Sequence, residues 1–165
     1  MTTKLTNIIA YILEKYPYKD ELCNARVTKM IYLSDWKFSL LYEKQISDIS
    51  WFFDNYGPFV HDVERDVSSN ADVFSEKIEF NMYGGYKKIF SLKKEFPVNL
   101  THEEQSVIVN IIDICKKLYF DNFIKLVYST YPIMTSERYS QLNLIEKAKE
   151  YKEKKNIMTS FLSTL

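Results

Sequence analysis

Ile46-Ser47-Asp48-Ile49-Ser50-Trp51-Phe52-Phe53-Asp54-Asn55-Tyr56-Gly57-Pro58-Phe59-Val60 is the stretch on which the fold turns. From Ile49 to Tyr56 it is β-branched and aromatic, which predicts a short strand. Gly57 and Pro58 then break the run. Gly admits a positive φ, and Pro at a first helical position gives up an N–H that would be unpaired there anyway. The reading is a strand ending at Tyr56 and a helix opening near Pro58, with Val60, Val63 and Val67 repeating along it and Ser68-Ser69-Asn70 closing it.

Upstream, Leu5, Ile8, Ile9, Ile12, Leu13 and Tyr16 recur at helical spacing, so a first helix runs from about Thr3 to Tyr16 and stops at Pro17. A second, from about Asn24 to Tyr42, carries Val27, Met30, Ile31, Ser34, Phe38 and Leu41 on one side and Leu33, Trp36 and Leu40 on another. Apolar residues on two sides make it a central helix covered by several neighbours.

Downstream, Lys77 to Tyr83 and Tyr86 to Leu92 flank Gly84-Gly85, a pair suited to the two positive φ values of a type I′ hairpin. The strand Ile49 to Tyr56 is the natural third member of that sheet. Thr101 and Glu104 form a capping box ahead of Ile108, Ile111, Ile112, Cys115 and Leu118. Asp121 caps a shorter helix, Asn122 to about Thr130, stopped by Tyr131-Pro132, and Asn143 with Glu146 caps a last helix through about Lys155. The predicted class is α+β: a mostly helical single domain, residues 1–155, with a small three-stranded antiparallel sheet and a frayed tail over 156–165.

At 165 residues with three Gly and four Pro, the chain has the length of one domain and little material for linkers. Lys plus Arg and Asp plus Glu both total 22, which speaks against a specific nucleic-acid partner held by counterion release. The basic run Lys147 to Lys155 is interleaved with Glu150 and Glu153 and reads as a solvated helix face. Two cysteines are too few for a disulfide framework, and the chain shows neither a leader nor a membrane-spanning run, so the expected location is cytoplasmic. Aromatic content is 16%, which either supplies interface anchors or reflects a compositional bias toward Lys, Ile, Asn and Tyr.

The residues do not mark a reaction centre. Cys23, His61, His102 and Cys115 each stand alone, without the paired spacing of a zinc site, and Gly84-Gly85 lies between two strands rather than at a helix start. No metal, cofactor or enzyme activity is expected. A Cys23–His61 nucleophile pair lacks any sign of an activated thiol. His61 reads as a surface residue or as an interface or acid/base histidine. Lys29 and Asp35 interrupt an apolar helix and need partners if buried. Each either reaches a helix end or groove rim, or the Lys29 side, with Tyr32 and Trp36, lines a partner groove.

Val27-Thr28-Lys29-Met30-Ile31-Tyr32-Leu33-Ser34-Asp35, followed by Trp51 to Val60 around Tyr56-Gly57-Pro58, resembles the Panacea domain of SocA-type antitoxins of bacteria and phages. Leu100-Thr101-His102-Glu103-Glu104 resembles the family's Leu-Thr-x-Glu-Glu helix start, and Tyr128 to Pro132 its His-x-x-x-Pro segment. The likeness spans roughly residues 3 to 150 and departs at Ser34, where Ala is common, and at Tyr128, where His is common. The resemblance implies an antitoxin that neutralises a cognate protein toxin encoded by an adjacent gene through direct binding. The alternatives are a proteolytic adaptor that delivers a toxin to a cytosolic protease, with the tail from Asn156 as a protease contact, or a phage-associated interaction domain with no toxin. The residues expected at the partner surface are Lys29, Tyr32, Trp36, Trp51, Phe52, Tyr56, Gly57, Pro58, His61, Tyr131 and Pro132, with the exposed aromatics among them as anchors.

Overall fold

Thr3 opens helix α1 (Lys4–Lys15) in the computed structural model, which describes residues 2–164. Its hydroxyl accepts from the Thr6 N–H at 3.1 Å while the Thr6 hydroxyl accepts from the Thr3 N–H at 3.0 Å, a capping box with Thr in place of the usual Glu or Gln. A 3₁₀ turn at Lys19–Glu21 leads into α2 (Asn24–Tyr42), in which every residue from Arg26 to Trp36 is buried. α1 packs beside it, and the two-sided apolar pattern read from the sequence describes it correctly.

The Tyr-Gly-Pro joint is where the structure departs most from the sequence reading. Strand β1 (Trp51–Asp54) turns through Asn55 and Tyr56 into β2 (Gly57–Pro58), with Phe53 opposite Pro58 and Asp54 opposite Gly57. Pro58 therefore lies in an edge strand, where its missing N–H leaves no ladder bond unmade, and not at a helix start. Phe59 donates its N–H to the Phe52 carbonyl at 3.0 Å and so holds the chain extended past Pro58. Helix α3 (Asp62–Ser69) begins only after His61, which takes the N-cap position without a side-chain cap bond.

Strands β3 (Phe74–Phe80) and β4 (Tyr86–Leu92) form the expected antiparallel hairpin, but Phe80 pairs with Tyr86, so Asn81 to Gly85 make the connection. Among these, Gly84 alone of the two glycines has a positive φ, +81°, and the Asn81 Oδ1 accepts the N–H groups of Tyr83 and Gly85 at 2.9 Å each. An Asn side chain folded over its own loop replaces the two-residue type I′ turn.

Helix α4 (His102–Cys115) starts at the predicted capping box, and the Glu104 carboxylate also takes the Lys4 ammonium of α1 at 2.8 Å. Helix α5 (Phe120–Tyr128) begins earlier than read, with Tyr119 at the N-cap and Asp121 in the first turn instead of at the cap. The helix ends before Tyr131-Pro132 as expected, and that pair in turn opens the single turn α6 (Tyr131–Met134), where Pro is tolerated because the first N–H groups have no helical partner. A two-residue strand β5 (Gln141–Leu142) precedes α7 (Leu144–Ser163), whose N-cap Asn143 accepts from the Glu146 N–H as predicted. No Gly or Pro interrupts α7, and it continues beyond Lys155 to Ser163.

The three-stranded antiparallel sheet exists with a different membership: β2-β1-β5, with Trp51 opposite Leu142, while β3-β4 stands as a separate pair. The hairpin is drawn away because the Phe90 N–H donates to the Leu22 carbonyl at 2.9 Å and Cys23 bridges Ile89, so β4 borders the entry to α2 rather than β1. α2 ends up touching α1, α3, α4, α7 and β4. Trp51, Tyr16, Tyr32, Phe74, Phe90 and Phe123 are the largest fully buried side chains, each contributing about 1.5–3 kcal/mol by its removal from water.

Candidate partner-binding surface

Asp35, in the middle of α2, is fully buried and reaches neither a helix end nor a groove rim. Its Oδ1 accepts the backbone N–H groups of Ile46 and Ser47 at 2.9 Å each, and its Oδ2 accepts the Trp51 indole N–H at 2.9 Å and the Ser47 hydroxyl. A single carboxylate thus fastens the loop ahead of β1 to the central helix. Burial pushes its pKa up to about 6, and the donors from Ser47, Trp51 and Ile46 pull the other way. Ser34 beside it donates its hydroxyl back to the Met30 carbonyl at 2.8 Å, so a Ser sits where Ala is common without leaving a polar atom unpaired.

This tether places the residues expected at the partner surface in two groups. Trp51 and Tyr32 are core residues, both fully buried, with rings edge-on at 5.5 Å, and the Tyr32 hydroxyl bonds the Thr130 hydroxyl at 2.8 Å. Trp51 is therefore not the exposed anchor that the sequence suggested, since its ring is buried and its indole N–H is spent on Asp35, and Tyr32 is spent in the core rather than on a partner groove. Gly57 and Pro58 are also buried. Gly57 has φ +98°, and a Cβ there would come into ordinary contact with the Tyr128 ring at 3.4 Å, so glycine is needed for the conformation of the backbone. Phe52 is half-buried, and exposed His61 stacks edge-on against Phe59 at 5.3 Å. Tyr56, at the tip of the β1–β2 turn, is 80% exposed.

Two apolar grooves open along α2. The first, of about 680 Å³, is lined by Ala25, Lys29, Tyr56, Phe120, Ile124 and Tyr128, with Asp121 and Lys125 also bordering it. The second, of about 580 Å³, includes Leu33, Trp36, Leu40, Ile111, Tyr131 and Met134 in its walls. Lys29 and Trp36 therefore belong to different grooves, and Tyr32, one turn from each, is buried against Thr130 instead of lining either. Tyr131 packs on Tyr151 at 5.3 Å and has the Lys147 and Lys154 ammonium groups 5.9 and 5.4 Å from its ring centre. Pro132 is buried behind it.

Sequence reasoning passed over two exposed apolar sets. At the free end of the β3–β4 hairpin, Ile78, Phe80, Met82, Tyr83 and Tyr86 are exposed. The alternation Lys77-Ile78-Glu79-Phe80 is the signal in the sequence for this apolar face. On α7, Ile157, Met158, Phe161 and Leu162 are exposed at i and i+4 spacing, which a frayed reading of the tail concealed. Phe120, 45% exposed at the start of α5, was likewise unremarked.

No group of three or more His, Cys, Asp or Glu residues suited to a metal occurs among the described residues, and no helix there is long and apolar enough to cross a membrane. Cys115 is buried, and burial pushes its thiol up to about 12.

Fold and surface together define a class: an α+β domain built around a central helix buried from Arg26 to Trp36, with Asp35 fastening to it the loop that leads into β1 and the Tyr-Gly-Pro turn. The chain belongs to the SocA-like antitoxin family, Panacea domain, whose family model matches residues 27–132. The matched region runs from the first turn of α2 to Pro132 in α6 and so contains the Asp35 tether, the Gly57 turn, the hairpin and α4 and α5. No curated protein and no solved structure matches the chain.

Proposed function

We propose that this chain neutralises a cognate protein toxin, encoded by an adjacent gene, by direct binding, and that it acts as a binding partner without catalysing a reaction. The observation that carries the reading is Tyr56. Within the Tyr-Gly-Pro turn, Trp51, Phe53, Gly57 and Pro58 are buried, while Tyr56 stands in solvent beside a groove bordered by Phe120 and Tyr128. A strand-paired turn that presents an aromatic ring unused in packing has the make-up of an interface anchor. Growth of a host carrying the adjacent gene, with and without this chain, followed by co-purification, tests it. Rescue with a stable complex is expected, and rescue without any complex sinks the direct-binding form.

The adaptor reading keeps a place because α7 carries the exposed row Ile157, Met158, Phe161 and Leu162, a second surface on which a protease could dock while the grooves hold the toxin. Removing residues 156 to 165 discriminates. Toxin turnover that slows on removal supports delivery to a protease, and unchanged turnover rejects it.

A further inference from the structure

Four charged side chains are buried among the described residues: Arg26, Lys29, Asp35 and Glu104. Arg26 donates to the Tyr16 hydroxyl at 3.3 Å and lies over the Phe123 ring at 4.7 Å, Asp35 has its four donors, and Glu104 pairs with Lys4. Lys29, 2% exposed, has no hydrogen bond and no carboxylate within ion-pair distance among the described residues. Its Nζ lies 5.8 Å from the centre of the Phe59 ring, a contact that offsets little of an ammonium's lost hydration.

The groove that Lys29 lines is otherwise apolar where Ala25, Phe120 and Ile124 form its walls, with the rings of Tyr56 and Tyr128 alongside. Its other charges, Asp121 and Lys125, are exposed and opposite in sign, so they leave the buried cation as the uncompensated charge of the site. Asp54 and Cys23 act on Lys29 from a distance, yet burial prevails and pushes its pKa down to about 8. The ammonium is thus held in a place where a carboxylate would be worth more than in open water.

We infer, on the toxin-binding reading above, that this groove is a carboxylate subsite: Lys29 ion-pairs with an Asp or Glu side chain of the toxin, whose apolar neighbour packs on Tyr56, Phe120 and Tyr128. The partner supplies the counter-charge that the chain itself leaves out. Such a pairing gives specificity as well as affinity, since a toxin presenting a basic or neutral residue there leaves Lys29 buried and unpaired.

The test uses the full chain and 3-phenylpropionate as probe, with its uncharged amide as control, followed by nuclear magnetic resonance of the groove residues. The acid should bind at least tenfold more tightly than the amide, with shifts at Tyr56, Phe120, Ile124 and Tyr128. Lys29→Met, which keeps the aliphatic stem and removes the buried charge, should melt no lower than the natural chain and lose the acid preference. Equal affinity for acid and amide in the unmutated chain overturns the subsite without recourse to any variant. Against the purified toxin, Lys29→Met should weaken binding at least tenfold, and the acid should compete with the toxin. A variant that has lost the acid preference but holds the toxin undiminished overturns the assignment of the toxin's carboxylate. Failure of the unmutated chain to bind the toxin at all refutes the toxin reading separately, because the acid-over-amide comparison reports on the subsite by itself.

Discussion

Asp35 shows how one buried charge can connect two separate parts of a sequence. Its carboxylate fills four donors that would otherwise be stranded beneath the β1 loop. Asp35→Asn turns an N–H₂ toward those donors and should destabilise the domain by about 2–4 kcal/mol, read from urea unfolding. The pH dependence has a definite sign. With its pKa raised from 3.8 to about 6, the folded chain binds more protons here than the unfolded one between those values. The contribution of Asp35 is therefore fully present below about pH 4 and falls as pH rises through 6. The stability gap between the natural chain and Asp35→Asn should be wider at pH 4 than at pH 7, and a gap that widens on going up in pH contradicts the assignment. Gly57→Ala places a Cβ at φ +98° against the Tyr128 ring and should lower stability by about 1–3 kcal/mol, visible as a reduced melting temperature. That Lys29 and Asp35 were special was legible in the sequence, because each interrupts an apolar helix. That Asp35 is satisfied by residues 11 to 16 positions away while Lys29 is left unpaired depends on tertiary placement, which no local pattern encodes.

Among the elements, the helices with a long apolar repeat were read most closely. α2 begins at Asn24 and ends at Tyr42 as predicted, and α4 opens on the Thr101–Glu104 box. Thr101→Ala should cost about 1 kcal/mol in chemical unfolding, while Glu104→Gln, which keeps a capping acceptor and loses the part-exposed pairing with Lys4, should cost less than Thr101→Ala. Proline leaves the choice of element open. Pro58 and Pro132 both mark a place where an N–H is missing, and a missing N–H suits an edge strand as well as a helix start. Pro58 was given to a helix and lies in β2, whereas Pro132 was given to a stop, which holds for α5, and also lies in the first turn of α6. Residue type fixes what the backbone lacks there, and the neighbouring strand decides which element uses the vacancy. β5, two residues long, has no periodicity to detect and exists because β1 offers it an edge.

On the scale of the whole molecule, the central position of α2 followed from its two-sided apolar pattern, whereas the separation of hairpin and sheet came from long-range pairing of β1 with β5 and of Phe90 with Leu22. The aromatic residues divide accordingly. Trp51→Ala removes a fully buried ring and should cost about 3–5 kcal/mol, a large share of the stability of an ordinary domain, read as a sharply lowered melting temperature. Tyr56→Ala, at 80% exposure, should change stability by no more than about 0.5 kcal/mol. Calorimetric titration of the purified adjacent-gene product with the natural chain and with Tyr56→Ala, at matched melting temperatures, tests direct neutralisation most immediately. A saturable complex weakened at least tenfold by Tyr56→Ala is the predicted result. Growth rescue in the absence of any measurable complex, or a complex indifferent to Tyr56, contradicts it.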